Sequence, residues 1–115
     1  MKADDFLPLT ALDFQVLALL VRGPLHGYGL VQSARARFPE QPVLEIGSLY
    51  RIITRMLEDG LIEEVGKPAG VESSGRKRRF YVATELGRAV LRAEAERVRS
   101  LLSAAEALSL GEASR

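Results

Sequence analysis

The chain has 115 residues, enough for one compact domain, and its 47% hydrophobic share, 27% charged share and net charge of +1 are typical of a globular protein. It has no cysteine and one histidine, which excludes a disulfide scaffold, an iron–sulfur cluster and a multi-histidine metal site, so we expect no cofactor and no metal. No apolar run approaches the length of a membrane span and no signal peptide opens the chain, which predicts a cytoplasmic protein without a membrane partner.

The beginning of the sequence predicts a loose arm followed by a helix. Residues 1–9 are expected to form an N-terminal arm. Thr10 followed by Asp13 has the pattern of a helix N-cap with an acid in the first turn, which predicts a helix over Ala11–Arg22. Gly23-Pro24 ends it. This helix is apolar on nearly every side, which favours burial against more than one partner, such as a second subunit.

Two further helices are predicted before the middle of the chain. The second begins near His26-Gly27 and continues to about Arg37, where apolar residues recur at helical spacing. The third begins near Gly47-Ser48 and ends before Gly60. One side of this third helix is an apolar stripe made of Leu49, Ile52, Ile53, Met56 and Leu57. Its other side is polar and carries Ser48, Arg51, Thr54, Arg55 and Glu58, with Tyr50 at the border.

A basic hairpin is predicted after the third helix. Leu61–Val65 and Phe80–Val82 have the composition of short strands, and Gly66–Gly75 between them has loop composition. Four consecutive positive charges, Arg76–Arg79, precede the second strand, and residues 61–83 carry a net charge of +2. The pattern therefore predicts two strands around a basic loop.

The last predicted helix opens at Thr84-Glu85 and continues to about Leu108. Apolar side chains follow a heptad spacing along it at Leu91, Ala95, Val98, Leu102 and Ala105. Such a helix must bury its stripe, either by folding back on its own domain or by pairing with another subunit. The all-round apolar first helix favours pairing, since it offers a surface, Leu12 included, that can receive a partner's last helix.

The order ααα-ββ-α predicts a mainly α fold, a winged helix-turn-helix with a long C-terminal dimerisation helix. We divide the chain into an N-terminal arm (1–9), a DNA-binding domain (10–83), a dimerisation helix (84–110) and a tail (111–115). In this architecture the third helix enters the major groove of DNA and the hairpin reaches the flanking backbone.

Two sets of residues are candidates for DNA contact. Ser48, Arg51 and Arg55 lie on roughly one face of the third helix and can bind base edges or phosphates, although a solvated helix face has the same composition. The run Arg76, Lys77, Arg78 and Arg79 at a hairpin tip can bind the phosphate backbone, although it can equally be a solubilising loop.

The start of the second helix, His26-Gly27-Tyr28-Gly29, is a third candidate, since free N–H groups at a helix start attract phosphate. Tyr28 either adds a hydroxyl contact or lies in the core, and for His26 a capping or packing role is favoured over DNA contact. Catalysis has little support, because His26 has no cysteine partner and no nucleophile-elbow or phosphate-loop motif is present. We therefore predict a protein that is not an enzyme and has no catalytic residues.

Four motifs together make the chain resemble the PadR family of transcriptional regulators, in particular its shorter members with a single C-terminal helix. The resemblance spans about residues 9 to 105. The matching stretches are Gly23-Pro24-Leu25-His26-Gly27-Tyr28-Gly29, Gly47-Ser48-Leu49-Tyr50-Arg51, Asp59-Gly60-Leu61-Ile62, and Gly75-Arg76 with Arg78-Arg79, Tyr81, Thr84-Glu85 and Gly87.

The resemblance implies a dimeric winged-helix protein, usually a repressor, that binds a palindromic operator in double-stranded DNA. The resemblance also implies which residues contact DNA. On the recognition helix these are Ser48, Tyr50, Arg51 and Arg55. The others are Tyr28 at the start of the second helix and Arg76, Arg78 and Arg79 in the wing. Lys77 stands where the family often has proline, and Leu57 where it often has an acid.

The resemblance also implies release from DNA by a small hydrophobic or aromatic effector near the dimer interface, expected beside Phe14, Leu17 and Val98. The last helix has no tryptophan, which argues against an aromatic sandwich like that of the drug-binding relatives. Two other functions stay open at the level of sequence. One is a winged-helix protein-interaction module without DNA binding, and the other is a small-molecule sensor in which DNA binding is secondary.

Overall fold

The computed structural model describes residues 2–40, 42–70 and 78–110. The helices and strands follow the predicted order along the chain, with one additional strand. The elements are α1 (Ala11–Arg22), β1 (Leu25–His26), α2 (Gly27–Arg37), α3 (Ile46–Glu58), β2 (Ile62–Val65), β3 (Phe80–Ala83) and α4 (Glu85–Ala105). A 3-10 turn (Ala3–Phe6) precedes α1, and a π-helical turn (Glu106–Leu110) follows α4. Arg76 and Lys77 lie outside the described residues, as do residues 111–115.

Helix α1 is the centre of the core. The Thr10 side chain accepts a hydrogen bond from the Asp13 backbone N–H at 3.1 Å, so the predicted cap is confirmed. Val16 and Leu20 have no exposed surface, because α2, α4 and β3 all pack against α1. Gln15 is buried too, and its Nε2 donates to the Pro42 carbonyl at 3.0 Å. Most of the apolar surface of α1 is therefore covered within one protomer.

The sheet has three antiparallel strands in the order β1-β3-β2. The predicted hairpin is present, with Glu64 opposite Tyr81 in the β2–β3 register. Strand β1 pairs with the other edge of β3, where Leu25 lies opposite Tyr81. The sequence did not predict β1, because two residues are too few to show the alternation that marks a strand.

The described part of the N-terminal segment, residues 2–9, is packed, whereas the sequence predicted a loose arm. The 3-10 turn lies against α4, and Phe6 is partly buried against the core. The Leu9 backbone N–H donates to Glu94 Oε2 at 3.1 Å. Glu94 is only 3% exposed and also accepts from Arg97 Nε at 2.7 Å. This buried carboxylate on α4 fixes the path of the chain into α1.

The start of α4 is held against the turn that follows α3. Thr84 caps α4 by accepting from the Gly87 backbone N–H, and its hydroxyl donates to the Gly60 carbonyl at 2.6 Å. Gly60 has a φ of +75°, the left-handed region that favours glycine. A Cβ on Gly87 would lie 2.1 Å from the Leu61 carbonyl oxygen. These contacts explain why glycine and threonine stand at the motif positions noted in the sequence.

The second half of α4 projects beyond the rest of the domain. Leu91 is partly buried against the protomer's own core, so only the later part of the heptad stripe is free. Every side chain from 98 to 109 is exposed. The radius of gyration is 16.4 Å, whereas a compact domain of this length has about 13 Å. The helix therefore projects an apolar face that consists of Val98, Leu101, Leu102, Ala105 and Leu108, called here the α4 apolar face.

Candidate nucleic-acid interface

Helix α3 presents one face to the core and the other to solvent. Its buried side chains are Leu49, Ile52, Ile53 and Met56, the predicted stripe without its last member, since Leu57 is 37% exposed. The centre of the opposite side is formed by Gly47, Arg51, Thr54 and Glu58, all exposed. No described part of the protomer covers this outer face of α3. A helix anchored on one side and open on the other has the geometry that insertion into a groove requires.

The polar side chains of α3 are partly organised by one another and by α1. Arg51 Nη2 donates to Ser48 Oγ at 3.4 Å, a long hydrogen bond across one turn. Arg55 Nη2 donates to the Asp13 carboxylate of α1 at 2.5 Å, while half of the Arg55 side chain stays exposed. Because guanidinium has five N–H donors, Arg55 keeps donors for another partner. The pair also ties α3 to α1.

Tyr28 of α2 and Tyr50 of α3 lie where the start of α2 meets α3. Tyr50 is half-exposed on α3, and a Cβ on Gly27 would come within 2.8 Å of its hydroxyl oxygen. Gly27 therefore makes room for Tyr50 to cross to α2. Tyr28 is 57% exposed at the first turn of α2, which removes the alternative that it lies in the core. Tyr28 and Tyr50 thus both lie at the start of α2, where backbone N–H groups lack partners within the helix.

His26 caps α2, and its ring is contacted by Arg78, which lies just before β3. Its Nδ1 accepts from the Gly29 backbone N–H at 2.9 Å, so the favoured capping role is confirmed. Arg78 Nη1 lies 3.3 Å from Nδ1 and 3.2 Å from Nε2, and the Phe80 ring meets the imidazole edge-on. Burial, and then the Arg78 charge, lower the pKa of His26. Both effects favour the neutral imidazole, which is the form in which Nδ1 can accept a hydrogen bond.

A cleft joins the start of α2, the flank of α3 and the base of the wing. It is lined by Arg78 and Arg79 at the base of the wing, by Tyr28 at the start of α2 and by side chains of α3. Arg79 is exposed, with Nη1 4.0 Å from the Glu64 carboxylate, a loose contact that leaves it accessible. Tyr50 and Thr54 border this cleft and also the surface that carries Arg51 and Arg55. The two surfaces are therefore continuous.

The structure brings the sequence-predicted residues of three separate segments onto this one continuous surface. They are Tyr28, Tyr50, Arg51, Arg55, Arg78 and Arg79, with Ser48 next to Arg51. Sequence reasoning named Thr54 as polar but not as part of the site. Its hydroxyl donates to the Tyr50 carbonyl at 2.8 Å, which turns it back onto the helix. Tyr81 was also missed, because a buried strand residue gives no sign in the sequence that one edge of it borders a cleft.

The predicted effector residues differ in their exposure within the protomer. Leu17 has no exposed surface and belongs to the core of the protomer. Phe14 is partly exposed on α1, and Val98 is 45% exposed on α4. The predicted dimerisation residues divide as well. Leu12 and Leu91 are partly buried in the protomer, whereas Leu102 belongs to the α4 apolar face.

Over residues 2–40, 42–70 and 78–110, no three histidine or acidic side chains are grouped so that they can hold a metal ion. In the same part of the chain, no helix is both long enough and apolar enough to cross a membrane.

The family of the chain follows from its sequence profile. The profile of the transcriptional regulator PadR-like family matches residues 16–93, more than half of the chain. The chain belongs to the PadR-like family. Its members are transcription regulators and not enzymes, so the predicted resemblance and the predicted absence of enzymatic function are confirmed. None of the curated proteins matches the sequence.

Solved structures of PadR family regulators share this fold. A PadR family transcription regulator from Clostridium difficile matches with a TM-score of 0.70 and 23% identity, over 84% of this chain and 96% of that one. A PadR family regulator from Eggerthella lenta matches with a TM-score of 0.68 and 27% identity, over 84% and 80%. Bacillus subtilis PadR in complex with operator DNA matches with a TM-score of 0.63 and 19% identity, over 75% and 47%. The predicted winged helix-turn-helix is confirmed.

Proposed function

We propose that this PadR-like regulator is a sequence-specific, dimeric repressor that binds a palindromic operator in double-stranded DNA and is released by a small hydrophobic or aromatic molecule. The observation that carries the proposal is the uncovered outer face of α3, with arginines of α3 and of the wing on one continuous surface. A fold relative solved with operator DNA supports it. Because the ligand is genomic DNA, we place the protein in the cytoplasm.

The side chains divide into two roles on this proposal. Arg51 and Arg55 lie on α3 and contact base edges in the major groove, where arginine binds guanine in a bidentate manner. Ser48 and Tyr50 support them with hydroxyl contacts. The remaining contacts go to the phosphate backbone, which binds cations without regard to sequence. They are made by Tyr28 beside the start of α2, by Arg78 and Arg79 in the cleft, and by Arg76 and Lys77 of the wing.

The dimer is supported by the α4 apolar face. A helix end of about three turns is marginal in water unless it packs against something. The exposed leucines of this face, among them Leu101 and Leu102, have no cover within the described protomer. Pairing with the same face of a second copy buries them and relates two α3 helices by a two-fold axis, as a palindromic operator requires. Leu12, Leu91, Val98 and Ala105 complete the proposed interface.

The effector is proposed to bind between Phe14 and Val98, the two predicted residues that keep exposed surface. An aromatic ring on α1 and an aliphatic side chain on α4 suit a small hydrophobic or aromatic molecule. Such a molecule releases DNA if it binds more tightly to a dimer whose α3 helices are not spaced for successive grooves.

The proposal is tested by selecting DNA from a random pool with the full-length protein and measuring binding by band shift at several salt concentrations. We expect a palindromic motif with half-sites about one helical turn apart. We also expect the logarithm of the binding constant to fall linearly with the logarithm of salt concentration. No enriched motif, or binding that salt does not weaken, contradicts DNA recognition and favours a protein-interaction module instead.

A further inference from the structure

The first residue of α3 is an isoleucine, Ile46, whose side chain is not buried in the core. Ile46 is 48% exposed, whereas the other isoleucines of α3, Ile52 and Ile53, are buried. The N-cap before it, Glu45, makes no side-chain capping hydrogen bond. A Cβ on Gly47 would have no atom of the described protomer within 4 Å. The start of α3 therefore presents a bulky aliphatic side chain beside a bare stretch of backbone.

Because Ile46 is the first residue of α3, its side chain extends beyond the N-terminal end of the helix. Cα–Cβ bonds in a helix tilt toward the N-terminus, so the side chain of the first residue reaches past the end of the helix. Ile46 also lies one turn before Tyr50, on the same flank of α3. In helix-turn-helix proteins the N-terminal residues of the recognition helix contact base edges. On the function proposed above, Ile46 is thus the leading side chain of the helix that enters the groove.

The chemistry of an aliphatic side chain selects one partner in that groove. The base edges in the major groove offer hydrogen-bond donors and acceptors, and the apolar group among them is the C5-methyl of thymine. We propose that Ile46 is a specificity-determining residue that contacts a thymine methyl in each operator half-site. This inference rests on the proposed DNA-binding function and assigns part of its sequence preference.

Two neighbours favour DNA over a protein as the occupant. Gly47 has no side chain to hold a ligand away from the backbone, which permits close approach to a base pair. Arg51 is exposed one turn further along the outer face of α3, where a guanidinium suits a base or a phosphate. An apolar protein partner would remove water from that guanidinium without pairing its charge, which costs binding free energy.

The test compares thymine with deoxyuridine, which lacks only the methyl group. Each thymine of the DNA selected by the full-length protein is replaced in turn by deoxyuridine, and the Kd is measured for the wild type and for Ile46→Ala. For the wild type we expect about fourfold weaker binding at one thymine position per half-site, the effect of one buried methyl group. For Ile46→Ala we expect equal binding to thymine and deoxyuridine at that position.

A control and two outcomes separate this inference from the function on which it rests. Leu57→Ala, at the other end of α3, should keep the wild-type sensitivity to deoxyuridine. Ile46→Ala should keep the unfolding midpoint, because its site is half-exposed and alanine favours helix. Salt-dependent binding to a selected motif with no thymine-sensitive position, or with the same sensitivity in Ile46→Ala, overturns the methyl contact alone. If no motif is selected, both proposals fail.

Discussion

Single polar side chains tie distant segments of this protein together. Asp13 of α1 holds Arg55 of α3, and Gln15 of α1 holds the carbonyl of Pro42 before α3. Glu94 of α4 holds the backbone of Leu9. The sequence identified Asp13 as a first-turn acid, but the partners of Asp13 and Gln15 are more than 25 residues away. Periodicity reports which side of a helix is polar and not what lies opposite it.

The separate roles of the arginines can be tested with two single substitutions. Arg51→Ala should cost about 1–3 kcal/mol on the preferred DNA and relax sequence preference, because it removes a base contact. Arg79→Ala should weaken binding to all sequences alike and reduce the salt slope by about one. Band shifts on the selected motif, on a point-mutated motif and on random DNA check this. Indistinguishable effects of the two variants across these DNAs would contradict the division.

The cap of α2 makes stability depend on pH. The pKa of His26 is lowered in the folded chain, so the unfolded chain takes up a proton first as pH falls. The free energy of unfolding should therefore decrease as pH drops through the usual histidine pKa of about 6.5. Urea unfolding between about pH 7.5 and 5.5 measures this, a window above the range in which glutamates titrate.

His26→Asn is the matched control for that pH dependence. Asparagine is a strong N-cap that accepts the same backbone N–H and does not titrate in this window. The variant should therefore keep α2 capped and show a free energy of unfolding that is flat between the two pH values. A wild-type slope that persists unchanged in His26→Asn would show that another group is responsible.

At the scale of elements, the start of α4 determines how the winged domain and the long helix are joined. Thr84 and Gly60 are linked by a hydrogen bond, and Gly87 lies directly on the Leu61 carbonyl. The sequence marked Thr84-Glu85 as a helix start, and that is confirmed. The close approach at Gly87 was not deducible, because a helical glycine is explained only by the backbone that packs against it.

Gly87→Ala should destabilise the protein by about 1–3 kcal/mol, because its Cβ overlaps a backbone oxygen that cannot rotate away. Gly47→Ala is the matched control. Its Cβ meets open space, so it should leave stability unchanged or raise it by up to about 1 kcal/mol. Chemical denaturation of both variants measures the difference. Equal stabilities would contradict the packing of α4 on the turn after α3.

At the scale of the whole molecule, the elongated shape is the main feature, with extents of 60 × 32 × 25 Å. The projecting end of α4 accounts for it, since every side chain from 98 to 109 is exposed. The first half of the same helix packs against α1 and the N-terminal 3-10 turn. The sequence left two alternatives for α4, folding back on its own domain or pairing with another subunit. On the proposed dimer the first half of α4 folds back and the second half pairs.

Leu102→Asp should convert the proposed dimer to monomers, because it buries an unpaired charge in the α4 apolar face. Ser100→Asp places the same charge on the opposite side of the helix, where it stays in water, and should leave the dimer intact. Sedimentation or light scattering over a range of concentrations distinguishes the two, with circular dichroism as the check on folding. A dimer in both variants would move the interface elsewhere.

Local patterns in the sequence were sufficient to predict the helices, the hairpin, the caps at Thr10 and His26 and the PadR family. The helices, the individual strands and the caps each depend on residues that are close together in the chain, and the family depends on short motifs in a fixed order. Only the tertiary structure decided that Leu17 is sealed in the core, that Tyr28 is exposed, that residues 2–9 are docked and that β1 joins the sheet. These depend on contacts between residues far apart in the chain. Hydrophobic periodicity predicts that a surface will be buried, but the folded chain alone determines which surface covers it.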